Sequence, residues 1–214
     1  MRPGLEAASL RLPRGAQRAA HPACAIHPRT GFGRRSALLA LAALPLCTRA
    51  ETPATLPPEL RVEMPQARLL GAGRLSFFGL PIYDIRLWGK DQALRVDPAA
   101  AVLALELQYA RALSGQRIAE RSLQEMQALE SVNAGQAARW LAQMQRLFPD
   151  VDKGDRITGV QLPGQAARFF VNGASRGEVR DADFTRLFFA IWLSPRTSQP
   201  QLRAALLGHT GAGS

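Results

Sequence analysis

Arg74 and Tyr83 are the two side chains of this sequence whose types and spacing best suit chemistry. A guanidinium beside a phenol can hold a carboxylate or an enolate, the first through charge and paired N–H donors, the second through one hydrogen bond. Both lie in an aromatic-rich stretch, 71–88, that alternates like two strands joined at Gly79-Leu80. A glycine at the first central position suits a type II′ turn. On that register Phe78 faces Pro81, Ser76 faces Tyr83 and Arg74 faces Ile85. Alternation then gives one face to Arg74, Ser76, Phe78, Tyr83, Ile85 and Leu87. Arg74 and Tyr83 become diagonal neighbours roughly 7 Å apart, with apolar side chains beside them for a ligand's tail. The competing arrangement pairs Arg74 with an acid such as Glu106 and leaves Tyr83 as packing. A one-residue change of register would separate the pair.

Other motifs promise less. Gly173-Ala174-Ser175-Arg176-Gly177 matches the nucleophile pattern G-x-S-x-G, with Asp183 and His209 following in hydrolase order. That chemistry needs the serine on a sharp strand-to-helix turn, whereas Asn172-Gly173 predicts a hairpin and a second strand. Asp150, Asp152 and Asp155 resemble a calcium loop, but the twelfth position is Gln161 and a ligand position is Gly154. Gly71-Ala72-Gly73 precedes a strand, so it is no dinucleotide fingerprint. Cys24, Cys47, His21 and His27 all precede residue 51, which leaves the rest of the chain without cysteine and with His209 alone. Cys/His zinc sites, thiol nucleophiles and disulfides are excluded there, and no cofactor is expected.

The elements that position these residues follow from period and capping. Strands are expected over 67–78, 82–88, 102–109, 156–162, 166–171 and 176–179. Ser114 is placed to cap a helix reaching about Glu130, and Asn133 a second that Pro149 ends. Asp181 or Asp183 starts a third, with Phe184, Leu187, Phe188, Ile191 and Trp192 along one stripe. A last helix follows Pro200 and closes at Gly208. Strands, helices, strands and helices in that order predict an α+β domain with an antiparallel sheet.

Charge and leader narrow the class. The chain of 214 residues carries a formal +10, but eight of its 27 basic residues and one of its 17 acidic residues precede position 51. That leaves 19 against 16, a net +3, so no nucleic-acid partner is expected. Residues 1–33 have no periodicity and form an N-terminal extension, disordered or mis-assigned. Residues 34–50, with Arg34-Arg35, an apolar run over 37–46 and small residues near Ala50, fit a signal peptide. The run is too short to span a bilayer, which takes about 20 residues, so the mature chain is expected to have no transmembrane segment. A linker (51–59), the folded domain (60–208) and a flexible tail (209–214) complete the division, with periplasmic or secreted localisation.

At the same residues the sequence resembles the chalcone isomerase family, in particular its bacterial exported branch. The resemblance is carried by Gly71-x-Gly73-Arg74, Tyr83-x4-Trp88 and Tyr109-x-Arg111-x-Leu113-Ser114-Gly115. It continues through 184–193, Ser194-Pro195, Leu202-Arg203 and Leu206-Leu207, covering 60–208. It implies an open-faced β-sandwich, a large antiparallel sheet with helices packed on one face and a ligand cleft between. The family includes enzymes that close chalcones to flavanones and non-catalytic members that bind fatty acids. In both, an arginine of the Gly-x-Gly region meets the ligand's anionic group, and Arg74 is the match, although its offset to the next strand is shorter. The family's strand threonine reads as Tyr83, and its final-helix polar position as Thr185. The catalytic helix tyrosine has no counterpart, because 115–148 contains no tyrosine.

The expected ligand-binding set is therefore Arg74, Ser76, Tyr83, Tyr109 and Thr185, with a fatty acid or similar amphipathic anion as the small-molecule partner. The missing tyrosine favours binding over catalysis. The alternatives are an intramolecular lyase or isomerase of chalcone isomerase type, and a structural or assembly protein whose cleft is empty.

Overall fold

Six runs of β-type alternation fold into one antiparallel meander. The computed structural model describes residues 55–90 and 97–208. The expected N-terminal extension and signal peptide (1–50), positions 51–54 of the expected linker and the expected tail with His209 lie outside the described residues. The strands are β1 (Arg68–Phe77), β2 (Leu80–Gly89), β3 (Leu103–Tyr109), β4 (Arg156–Leu162), β5 (Ala166–Val171) and β6 (Ala174–Val179). Their order in the sheet is their order in the chain. The helices are α1 (Pro58–Glu63), α2 (Gly115–Leu129), α3 (Ala134–Leu147), α4 (Ala182–Leu193) and α5 (Pro200–Leu206).

Local chemistry sets the helix starts. The Ser114 Oγ accepts from the Arg117 N–H at 3.3 Å, and the Asn133 Oδ1 accepts from the Gln136 N–H at 2.9 Å. Asp181, rather than Asp183, caps α4: one carboxylate oxygen accepts from the Phe184 N–H at 3.0 Å. The other accepts from the Trp140 indole N–H at 2.8 Å, tying α3 to α4. Short backbone bonds between Leu113 and Val151 hold the start of α2 beside the exit of α3.

One sheet face, with Leu105, Leu107, Ile157 and Phe169, packs under α2–α5. Phe148, Phe169, Phe184, Phe188, Phe189 and Trp192 meet there, mostly edge to face. Gly71 and Gly73 mark where α5 lies on β1: an added Cβ would come within 2.1 Å of the Leu206 carbonyl oxygen and 2.4 Å of the Leu202 side chain. The Gly-x-Gly spacing is thus a seat for a helix.

The opposite face is covered by α1, which straddles the boundary between the expected linker (51–59) and the expected domain (60–208). Leu60 and Met64 pack on Trp88, Ala104, Val160 and Phe170. Glu59 of α1 is buried and accepts from Arg156 at 3.0 Å and from the Thr158 hydroxyl at 2.7 Å. Glu106 accepts from the Trp88 indole at 2.8 Å and from Arg86 at 3.2 Å. These bonds satisfy two carboxylates whose unpaired burial would be costly.

The first hairpin differs from the expected register. Its turn residues are Phe78 and Gly79, with φ of 48° and 76°, the positive pair that defines type I′. Phe77 faces Leu80, Ser76 faces Pro81 and Leu75 faces Tyr83, Ile82 being the extra residue of a bulge. Arg74 then faces Asp84. Arg74 and Tyr83 therefore lie on opposite faces of the sheet, and the expected pairing is lost. Moving the two-residue turn back by one position shifts the register by two and keeps the parity; the bulge at Ile82 is what flips it. Asn172-Gly173 (φ 50° and 88°) makes the expected turn between β5 and β6, and Ser175 follows on an exposed strand, far from nucleophile-elbow geometry.

Candidate functional site

Between the sheet and the helices lies a cavity of about 300 Å³, at the lower end of volumes that hold small ligands. Its walls are apolar: Leu75, Leu105, Leu107, Ile157, Phe169 and Phe188 are among them. Gly159 lines it from β4, where an added Cβ would press on the rings of Phe169 (3.3 Å) and Phe189 (3.4 Å). The exposed Arg117, Arg121, Ser198 and Gln199 form its rim.

Two phenols stand in this apolar wall. Tyr83 of β2 and Tyr109 of β3 are register partners whose ring centroids are 5.9 Å apart, edge to face. They are the chain's two tyrosines. The Tyr83 hydroxyl oxygen accepts from the Trp192 indole N–H of α4 at 2.9 Å, which leaves its own proton free to donate. Tyr109 has no side-chain hydrogen bond among the described residues, so its hydroxyl can both donate and accept toward the cavity. Burial pushes the Tyr83 hydroxyl up to about 12, against the Trp192 hydrogen bond, which lowers it. Burial raises Tyr109 further, helped by Tyr83 beside it. Both remain neutral donors across the physiological range.

The rim supplies the charge. Arg121 is paired with Glu125 one turn along α2. The Arg117 side chain makes no hydrogen bond or ion pair among the described residues, although it borders the cavity. A free guanidinium outside two neutral phenols and an apolar interior fits an amphipathic anion: head toward Arg117, polar atoms near the phenols, tail among the aliphatic and aromatic residues.

Of the residues expected from sequence, Tyr83 and Tyr109 are brought together in the cavity. Arg74 is not: it lies on the outer face, 59% exposed at its side chain, with its Nε 2.6 Å from one oxygen of Asp84 and its terminal nitrogen 2.9 Å from the other. That bidentate contact, chiefly its hydrogen bonds, holds the Asp84 carboxyl below its ordinary range. The residue that points into the cavity from this strand is its neighbour, Leu75. Ser76 is exposed opposite Pro81 and does not line the cavity. Thr185 is buried in α4, donating its hydroxyl proton to the Asp181 carbonyl at 2.8 Å, also outside the cavity wall. Arg117 and Trp192 join the site from outside the expected set; Trp192 is visible in sequence only as a member of an apolar stripe, and Arg117 as a helix-surface charge.

Comparison with known proteins agrees with this architecture. The model of the chalcone isomerase-like family matches residues 52–208. An uncharacterised protein of Haemophilus influenzae is 32% identical over 108 residues, 50% of this chain and 52% of that protein, so the chain matches about half of that relative's length. The crystal structure of an Arabidopsis thaliana fatty-acid binding protein aligns with a TM-score of 0.55 and 15% identity, covering 67% of this chain and 88% of that one. At such identity the likeness is one of fold. The six-stranded antiparallel sheet, its helical cover and the family match over most of the sequence lead to one statement: this chain belongs to the chalcone isomerase-like family.

Proposed function

We propose that this protein is a non-catalytic binder of an amphipathic anion, a fatty acid or a similar carboxylate, acting after export to the periplasm. The observation that carries the reading is the unpaired Arg117 at the mouth of an apolar cavity that also holds two neutral phenols. The likeness in fold to a fatty-acid binding protein supports it, and the basic-then-apolar pattern of 34–50 supports export. Each methylene taken into the cavity should strengthen binding by about 0.8 kcal/mol, about fourfold in Kd, until the space is full.

A series of saturated carboxylates of rising chain length, titrated calorimetrically into the purified chain, tests the reading. A stepwise gain that levels off supports it, and affinity independent of length overturns it. The neutral phenols favour one second reading, an isomerase that stabilises an enolate at Tyr83 and Tyr109. Turnover of a chalcone that disappears in Tyr109→Phe would establish that reading instead. Export is tested by osmotic-shock release from the producing cell, with retention in spheroplasts as the contrary result.

A further inference from the structure

The tip of the β1–β2 hairpin is built against the usual rules. Phe77, Phe78 and Leu80 are 65%, 89% and 59% exposed. Phe78 occupies a positive-φ position (48°) that favours Asn or Gly and strains an aromatic residue. Its ring packs on Phe77 (centroids 4.5 Å apart, edge to face) and on no other aromatic ring among the described residues. Neither turn formation nor the core explains three large apolar side chains there.

The tip's surroundings are specific. Leu75 and Ile82 line the cavity, and the single pair Ser76–Pro81 separates them from Phe77–Leu80. The Ala110 N–H donates to the Ile82 carbonyl at 2.9 Å, which sets Arg111 beside the base of the tip. Arg111 is exposed, and its side chain, like that of Arg117, makes no ion pair among the described residues.

We propose that this hairpin tip is a membrane-docking finger, with Phe77, Phe78 and Leu80 entering the interface of an anionic bilayer while Arg111 and Arg117 meet lipid phosphates beside the cavity mouth. An apolar wedge with free cations at its base is the pattern of interfacial binding. The three side chains are too few for a stable protein interface, which buries about 800 Å² per partner. Docked in this way, the mouth opens toward the place where amphipathic anions dissolve. The delivery role rests on the carboxylate-binding reading above, and the docking itself does not.

The test floats the full chain with phosphatidylcholine vesicles, with and without phosphatidylglycerol, and compares it with the triple variant Phe77→Thr, Phe78→Asn, Leu80→Thr. An asparagine ahead of Gly79 suits a type I′ turn, so the variant is expected to keep its melting temperature. Any contribution of the apolar run at 37–46 is common to both proteins. Docking predicts association that needs phosphatidylglycerol, weakens with salt, and falls about tenfold or more in the triple variant. Phe78→Asn alone should lose several-fold. Flotation equal to wild type in a variant that melts normally overturns the proposal, as does a wild-type dimer that the triple variant dissociates. A fluorescent long-chain carboxylate, titrated without vesicles, separates the two readings. Unchanged solution affinity with slower uptake from vesicles supports delivery; no carboxylate binding alongside tip-dependent flotation defeats the carboxylate reading and leaves docking intact.

Discussion

Tyr83 and Tyr109 differ in what their hydroxyls do, and that difference is measurable. Tyr83→Phe leaves the Trp192 indole N–H without its acceptor in a half-buried site, which should cost about 1–3 kcal/mol of stability by chemical denaturation. Tyr109→Phe removes a hydroxyl with no protein partner among the described residues and should change stability little while weakening anion binding by about 1.5–3 kcal/mol, the range for hydrogen bonds to charged groups. Because these are the chain's two tyrosines, tyrosinate absorbance reports on the cavity alone. Folded-state values lie above the unfolded 10, so the neutral phenols' contribution to stability is complete below pH 10; Tyr83's share is lost as the pH rises through about 12, and Tyr109's only at higher pH. A folded protein whose tyrosines titrate at 10 would show that the phenols are not buried as described. A bound carboxylate should raise both values further.

At the scale of elements, the glycines of β1 can be tested. Gly71→Ala drives a Cβ into the Leu206 carbonyl, a backbone atom that cannot swing aside, so α5 must lift. A loss of about 1–3 kcal/mol is expected, with helix α5 exchanging its amides faster; a variant as stable as wild type would contradict that seating. The caps at Ser114, Asn133 and Asp181 and the Asn172-Gly173 turn were legible in the sequence because each depends on a few adjacent residues. The first hairpin was not. Gly79-Leu80 and Phe78-Gly79 are both two-residue turns by pattern, and an aromatic at positive φ is the less favourable choice locally. The bulge at Ile82 and the pairing of Leu75 with Tyr83 decide the register instead. That one slip moves Arg74 out of the site. Helix α1 is hidden for a similar reason: six residues give no period, and its anchor, Glu59 on Arg156 and Thr158, joins residues 97 and 99 positions apart.

For the whole molecule, the sheet divides two chemistries. Its outer face carries charged pairs, Arg74 with Asp84, Arg86 with Glu106 and Arg156 with Glu59. Its inner face holds the cavity, with Arg117 the free cation among the described residues that line it. No helix among the described residues is long and apolar enough to cross a membrane. If the cavity holds an amphipathic anion, its counter-ion must come from α2 and not from β1. Calorimetric titration of one long-chain carboxylate into wild type, Arg117→Gln and Arg74→Gln tests this most directly. The expected result is one site per chain, with affinity falling about tenfold or more in Arg117→Gln and unchanged in Arg74→Gln. Binding that survives Arg117→Gln and is lost in Arg74→Gln would contradict it.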